Sequence, residues 1–391
     1  MNELLFVIGT RPEAIKLAPV IISLRRVAPD ITPFAVLTGQ HPEMARDALE
    51  VFDLAPDLQL DVLDGTEDLC VMASRVLEAI GGLIDEHRPR AVVVQGDTLS
   101  AFSAGLAAAL RRVPVAHVEA GLRTGCPADP FPEELARRQL APLARWNFAP
   151  TREAEMNLLH EGVAPEHIER VGNTVVDALR TVRRRLTGLG RERTDPKGKS
   201  WTLLVTAHRR ENWGPGLVRI CDALRRLVTL RPELRIVFSM HPNPSVHKVI
   251  CSQLAGVHGI SLIDAPRYGE WVRLLVECDC ILTDSGGLQE EGTALGKPIL
   301  VMRASTERPE ALRVGSATMV GTQPDDIVST VRLLMTDYQT YEYMATPRDV
   351  FGDGFAADRI VARIVADLRQ AAAAPGPGTP WKPAGALGGC M

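Results

Sequence analysis

Short apolar runs alternate with amphipathic stretches of helical period almost from one end of the chain to the other. Residues 4–8, 34–38, 91–95 and 115–118 read as buried strands, each closed by turn residues. Residues 12–27, 66–86, 99–111 and 133–145 read as the helices between and after them. That alternation commits the chain to βαβ units, a parallel sheet and helices on both of its faces. Between about Arg180 and Lys199 the pattern lapses into a basic segment with Gly and Pro, whose C-terminal part reads as a linker. No aromatic residue interleaves its arginines, so a solvated connector explains it better than a nucleic-acid arm.

The alternation then restarts, with strands at 201–206, 235–239, 260–263, 280–283 and 299–302 and helices at 217–230, 271–277, 288–295 and 325–335. The expected division is a first α/β domain over 1–180 and a second over 200–355, with a last helix at about 356–374. Residues 375–391, rich in Pro and Gly, are expected to form a disordered tail. A length of 391 residues fits two domains. With 46% hydrophobic and 24% charged residues, disordered and fibrous classes are excluded. A net charge of −4 argues against a nucleic-acid partner.

No uncharged apolar run is long enough for a membrane span. The opening MNELLFVIGTRPEA lacks the basic region and cleavage site of a secretory signal, and seven cysteines form no disulfide framework. A cytoplasmic location is the expectation. Cys278 and Cys280 read as alternate positions of a buried strand rather than metal ligands, since no second Cys/His pair lies near.

Two α/β domains joined by a linker make a cleft, and ligands of parallel sheets sit at strand carboxyl ends. Polar motifs cluster there. The first strand runs into Gly9-Thr10-Arg11-Pro12, where Thr10 can cap a helix opened by Pro12 and Arg11 flanks its positive end. An ordinary capped helix would look the same. Asp97 and Glu119 close two successive strands, where a charge must be used or paired. His117, inside the second of these, reads as a hydrogen-bonded core histidine. Further on, Glu133 and Arg137, and likewise Glu134 and Arg138, share helical faces. One pair is a surface salt bridge on this reading, and periodicity does not say which.

In the second half, His208 and His241 follow strands, and Ser285-Gly286-Gly287 at a helix start forms a compact phosphate cradle. Glu291, a turn inside, could take the hydroxyls of a ribose, and Arg308 stands in a later turn. Together these fit a nucleotide diphosphate, with acid/base groups supplied from the first domain.

The motifs GTRPEAIK, QGDT, HVEAGLRTG, PFPEE, AHRREN, HPNP, DSGGLQEE, LGKPILVMR and TERPE resemble, in order, those of the non-hydrolysing UDP-N-acetylglucosamine 2-epimerases over about residues 4–365. The resemblance implies two Rossmann-like domains in the GT-B-type architecture, with the C-terminal helix crossing back to the first. It also implies expulsion of UDP from C1 while a base takes the C2 proton, leaving a glycal, then re-addition of UDP with protonation of C2 from the other face. Such a reaction requires no redox cofactor, in keeping with the missing GxGxxG fingerprint, and no metal if Arg, His and a helix dipole neutralise the diphosphate.

Carried over by position, Asp97, Glu119 and Glu133 are the acid/base candidates, and His208 supports the leaving phosphate or proton transfer. Arg11, Lys16, Arg137, His241, Ser285, Gly286, Gly287, Glu291 and Arg308 match positions that bind nucleotide and sugar. A UDP-sugar substrate and a homodimer are implied as well. The chain departs from the family pattern at Ala136 and Gly292-Thr293-Ala294. In the loop where bacterial members often bind an activating second substrate, Gln40 and His41 are retained, Glu43 stands where some members have Gln, and the position of the usual Arg falls at about Thr66. The expectation is that such activation is weakened or lost; an exposed loop that varies freely would explain the same changes.

Overall fold

A computed structural model describes residues 2–40, 42–62, 68–128, 130–186, 201–207, 209–240 and 243–373. His41, Thr66, His208, His241, most of the expected linker and the tail lie outside the described residues. The chain divides into two compact units, one holding the described residues up to Thr181 and from Gly352 onward, the other Val182–Phe351.

The first unit is built on seven parallel strands: β1 Glu3–Ile8, β2 Thr32–Leu37, β3 Leu58–Gln59, β4 Ala91–Gln95, β5 Val115–Val118, β6 Trp146–Ala149 and β7 Ile168–Arg170. Their spatial order is β3-β2-β1-β4-β5-β6-β7. Both faces are covered by helices, so β4 and β5 are buried at every position, as near-continuous apolar runs demand. Leu5, Val7, Val92, Val94 and Val115 pack against Ala101, Ala104, Ala107 and Ala108 of the helix Leu99–Leu110. Small side chains let that helix come close; a Cβ added at Gly105 would meet Leu140 at 2.3 Å.

The C-terminal helix Ala356–Ala373 crosses back onto this unit. Trp146 donates its indole N–H to Asp367 at 2.7 Å, and Ser23 donates its hydroxyl to Asp358 at 2.6 Å. At the start of the helix, Asp177 accepts the amides of Ala356 and Ala357 at 3.3 and 2.9 Å.

The second unit has six parallel strands: β8 Trp201–Thr206, β9 Leu234–Ser239, β10 Ile260–Ile263, β11 Cys280–Thr283, β12 Ile299–Val301 and β13 Ala317–Met319. Their order is β10-β9-β8-β11-β12-β13. Leu203, Val205, Phe238, Leu282 and Leu300 share its core with Ile220, Leu224, Ile327 and Val331. In each sheet the strand order reverses once beside the first strand of the unit, between β1 and β4 and between β8 and β11. That is where doubly wound sheets open a crevice.

The α/β class and the alternation follow the sequence expectation, with local differences. Pro12 occupies the second helical position rather than the first, still an orphan N–H. The stretch 133–145 is not one helix: Glu133–Leu140 gives way to a 3₁₀ turn at Ala141–Leu143, because Pro142 cannot continue the ladder. At the other end of the unit, the helix Thr174–Arg185 runs past Arg180, where the pattern had been expected to lapse.

Candidate active site

At the switch point of the first unit, adjacent strands β1, β4 and β5 end in Gly9-Thr10-Arg11, Gly96-Asp97-Thr98 and Glu119. Glu119 has φ +66°, a left-handed backbone that non-glycine residues adopt rarely and at a cost. The residue is 7% exposed, and its carboxylate is held from several directions. The Lys16 ammonium donates to both oxygens at 2.6 Å, the Asn173 amide donates at 2.9 Å, and the Gln95 amide also donates. Lys16 comes from the second turn of the helix Arg11–Val27, so the ion pair joins β5 to the helix that follows β1. A buried pair of this kind persists only when its remaining lone pairs are satisfied, and Gln95 and Asn173 do that.

Asp97 is ion-paired with Arg137, which projects from the helix Glu133–Leu140. The Nε and Nη1 of Arg137 are buried and make no hydrogen bond among the described residues, although Nη1 lies 3.3 Å from Glu134. Of the two i,i+4 pairs, Glu134–Arg138 is the one that forms, at 3.0 Å. It is no surface bridge: Glu134 is 0% exposed and also takes the amide of Thr124 at 3.1 Å. The Glu133 side chain has no hydrogen-bond or ion-pair partner among the described residues, and the residue is half-buried.

His117 is a core histidine. Its Nε2 lies 2.7 Å from the Gly96 carbonyl, and burial pushes its pKa down to about 4, so the ring is neutral and donates. Gln40 accepts a hydrogen bond from Ser100 at 3.1 Å, beside Gly9, whereas Glu43 is exposed on the helix Pro42–Glu50. Arg11 opens the helix Arg11–Val27 and is half-buried.

In the second unit, β11 runs into Asp284, which is fully buried and accepts from the Arg209 amide and the Asn212 side chain, both at 2.9 Å. Ser285 caps the helix Gly286–Leu295 by position, without a side-chain bond to its first turn. The amides there meet the positive end of the helix dipole, the usual setting for an anion. A Cβ at Gly286 would make only ordinary contacts with Glu307 and Arg308, and one at Gly287 would meet nothing within 4 Å. Packing therefore does not explain these two glycines.

Glu291, buried, accepts from the Tyr268 hydroxyl at 3.0 Å. Arg308 pairs with buried Glu290 and sits next to Glu307, which Arg303 reaches at 3.0 Å and Arg209 at 3.5 Å. Burial alone would raise the Glu307 carboxyl, but Arg209, Arg308 and Arg303 hold it below the usual carboxylate range.

Asn173 and Tyr268 carry no signal of their own in the sequence, and Gln95 and Asn212 enter it only inside the motifs QGDT and AHRREN, with no role of their own. Glu13 likewise stands only inside GTRPEAIK, although it is legible as the last residue of a Thr-x-x-Glu capping box. No group of three or more His, Cys, Asp or Glu side chains that could hold a metal is present among the described residues. Nor is any helix there long and apolar enough to cross a membrane.

Comparison with known proteins adds to this geometry. The UDP-N-acetylglucosamine 2-epimerase family profile matches residues 25–365. The UDP-N-acetylglucosamine 2-epimerase of Yersinia pestis is 41% identical over 366 residues, 92% of this chain and 97% of that protein. The crystal structure of UDP-GlcNAc 2-epimerase from Neisseria meningitidis bound to UDP-GlcNAc superposes with TM-score 0.87 at 36% identity, covering 93% of this chain and all of that one. The Methanocaldococcus jannaschii enzyme in complex with UDP-GlcNAc and UDP gives TM-score 0.78 at 30% identity, covering 93% and 99%.

Proposed function

The chain belongs to the UDP-N-acetylglucosamine 2-epimerase family, and on that premise we propose that it interconverts UDP-N-acetylglucosamine and UDP-N-acetylmannosamine without hydrolysis. The C2–H of such a sugar is not acidified by a neighbouring carbonyl, so direct proton removal is too slow. In the proposed route a carboxylate takes the C2 proton as the C1–O bond to UDP breaks; the C2–H electron pair becomes the C1=C2 double bond, and the C1–O pair leaves with the diphosphate. The resulting 2-acetamidoglucal is protonated at C2 on the opposite face, and a UDP oxygen re-forms the bond to C1. Atoms and charge balance, and nothing is oxidised.

That chemistry asks for carboxylates in different protonation environments and for fixed cationic and N–H donors toward the departing diphosphate. The observation that carries the reading is the grouping of Asp97 and Glu119 at adjacent strand ends, one tied to Arg137 and the other to Lys16. Glu133, with no partner among the described residues, completes the acid/base set. The amides at Ser285-Gly286-Gly287, with Arg308 beside them, are assigned to the diphosphate, and Glu291 to the ribose. His208 and His241 enter from the family resemblance alone.

Incubation with UDP-GlcNAc followed by NMR tests this reading. UDP-ManNAc still bearing its nucleotide is the expected product. Stoichiometric free UDP and N-acetylmannosamine would replace it with a hydrolysing epimerase.

A further inference from the structure

Glu13 has no task in the reaction above, yet the residue is 1% exposed and its carboxylate gathers donors from two strand ends. Oε2 accepts from the amides of Gly9 and Thr10 at 2.9 and 2.6 Å and from the Thr10 hydroxyl at 2.8 Å. Helix capping accounts for those bonds. Oε1 does something else: it accepts the hydroxyl of Thr98 at 2.7 Å, a residue 85 positions away. That hydroxyl also accepts the Ala101 amide at 3.0 Å, so its single proton is committed to Glu13.

Capping does not require burial. A capping-box glutamate at a helix start can keep its carboxylate in water, whereas this one is desolvated, which pushes its pKa up to about 7. What burial gains is reach. Gly9 and Thr10 directly precede Arg11, and Thr98 directly follows Asp97. On the other side of Asp97, the Gly96 carbonyl is held by His117 at 2.7 Å.

We infer that Glu13 is a positioning residue, a single carboxylate that fixes the turn carrying Arg11 and the turn carrying Asp97 in one mutual arrangement. Its consequence for turnover rests on the epimerase reading; the clamp itself does not. Small errors in the placement of reacting groups are costly, so loosening the clamp lowers kcat more than it raises KM.

The test uses the full chain with Glu13→Gln, Thr98→Val and Thr98→Ser, reading hydrogen exchange at residues 9–11 and 97–101 together with kcat and KM for UDP-GlcNAc. Glu13→Gln is expected to speed exchange in both segments, and Thr98→Val to speed it at 9–11 as well, while Thr98→Ser stays near wild type. The expected kcat loss for Glu13→Gln and for Thr98→Val is about tenfold to a hundredfold, with KM within about threefold. Exchange that changes only in the mutated residue's own segment overturns the clamp. If the wild type does not epimerise, the functional reading fails while the exchange data still decide this inference. If Glu13→Gln does not fold, the two Thr98 variants carry the same decision.

Discussion

The Lys16 ammonium donates to both oxygens of Glu119 at 2.6 Å, tying together residues 103 positions apart. Each is the other's counter-charge in a place where water cannot serve. Glu119→Gln removes the charge and keeps the shape. We expect turnover to fall by roughly 10²–10⁴. UDP affinity, measured by calorimetry, should stay within a few-fold, because the groups assigned to the diphosphate belong to the second unit. Near-normal turnover would remove Glu119 from the acid/base chemistry.

Arg137 serves two carboxylates, Asp97 and Glu134. Arg137→Met leaves both short of positive charge. The cost to folding is expected at about 2–3 kcal/mol, below that of a fully buried pair. Asp97 is 28% exposed and Glu134 keeps Arg138, which limits the loss. Urea unfolding measures it, and an unchanged midpoint would show that the pair contributes nothing to stability.

Because Gly287 has open space where a Cβ would stand, Gly287→Ala should fold with an unchanged thermal midpoint. A methyl group there blocks close approach of an anion to the helix start. UDP affinity is therefore expected to drop about tenfold or more, a difference of about 1.4 kcal/mol. Equal loss of stability and affinity would mean that the glycine serves the fold.

Asp177 gives a prediction in pH. Burial pushes its carboxyl up to about 6 from 3.8, against the amides of Ala357 and Ala356, which pull it down. The folded state then holds a proton that the unfolded chain has released, so the stability this group contributes is present below about pH 4 and is lost as pH rises to about 6. Asp177→Asn does not titrate. Its stability relative to wild type should rise across that window and level above it, as read from chemical unfolding at several pH values. The opposite slope would mean that the amides outweigh burial.

Much of this was legible in the sequence because the signals were local. β4, β5, β8 and β11 are apolar runs bounded by turn residues, and their limits match the expected ones. β6 escapes the pattern because Asn147 interrupts a run of four; its buried Nδ2–H donates to the Ala141 carbonyl at 3.1 Å, a bond invisible in one dimension. β7 was missed because it is short and half-exposed. For the same reason the residue types at the strand ends could be named while their partners could not. Nothing local says that Arg137 turns from Glu133 to Asp97, or that Asn173 reaches Glu119 from 54 positions away.

Conversion of UDP-GlcNAc in D₂O tests the central claim most directly. Proton removal and return at C2 predict that the UDP-ManNAc formed carries deuterium at C2, and that recovered UDP-GlcNAc acquires it as the reaction approaches equilibrium. Epimerised product that retains its original hydrogen at C2 would contradict the elimination and re-addition of UDP.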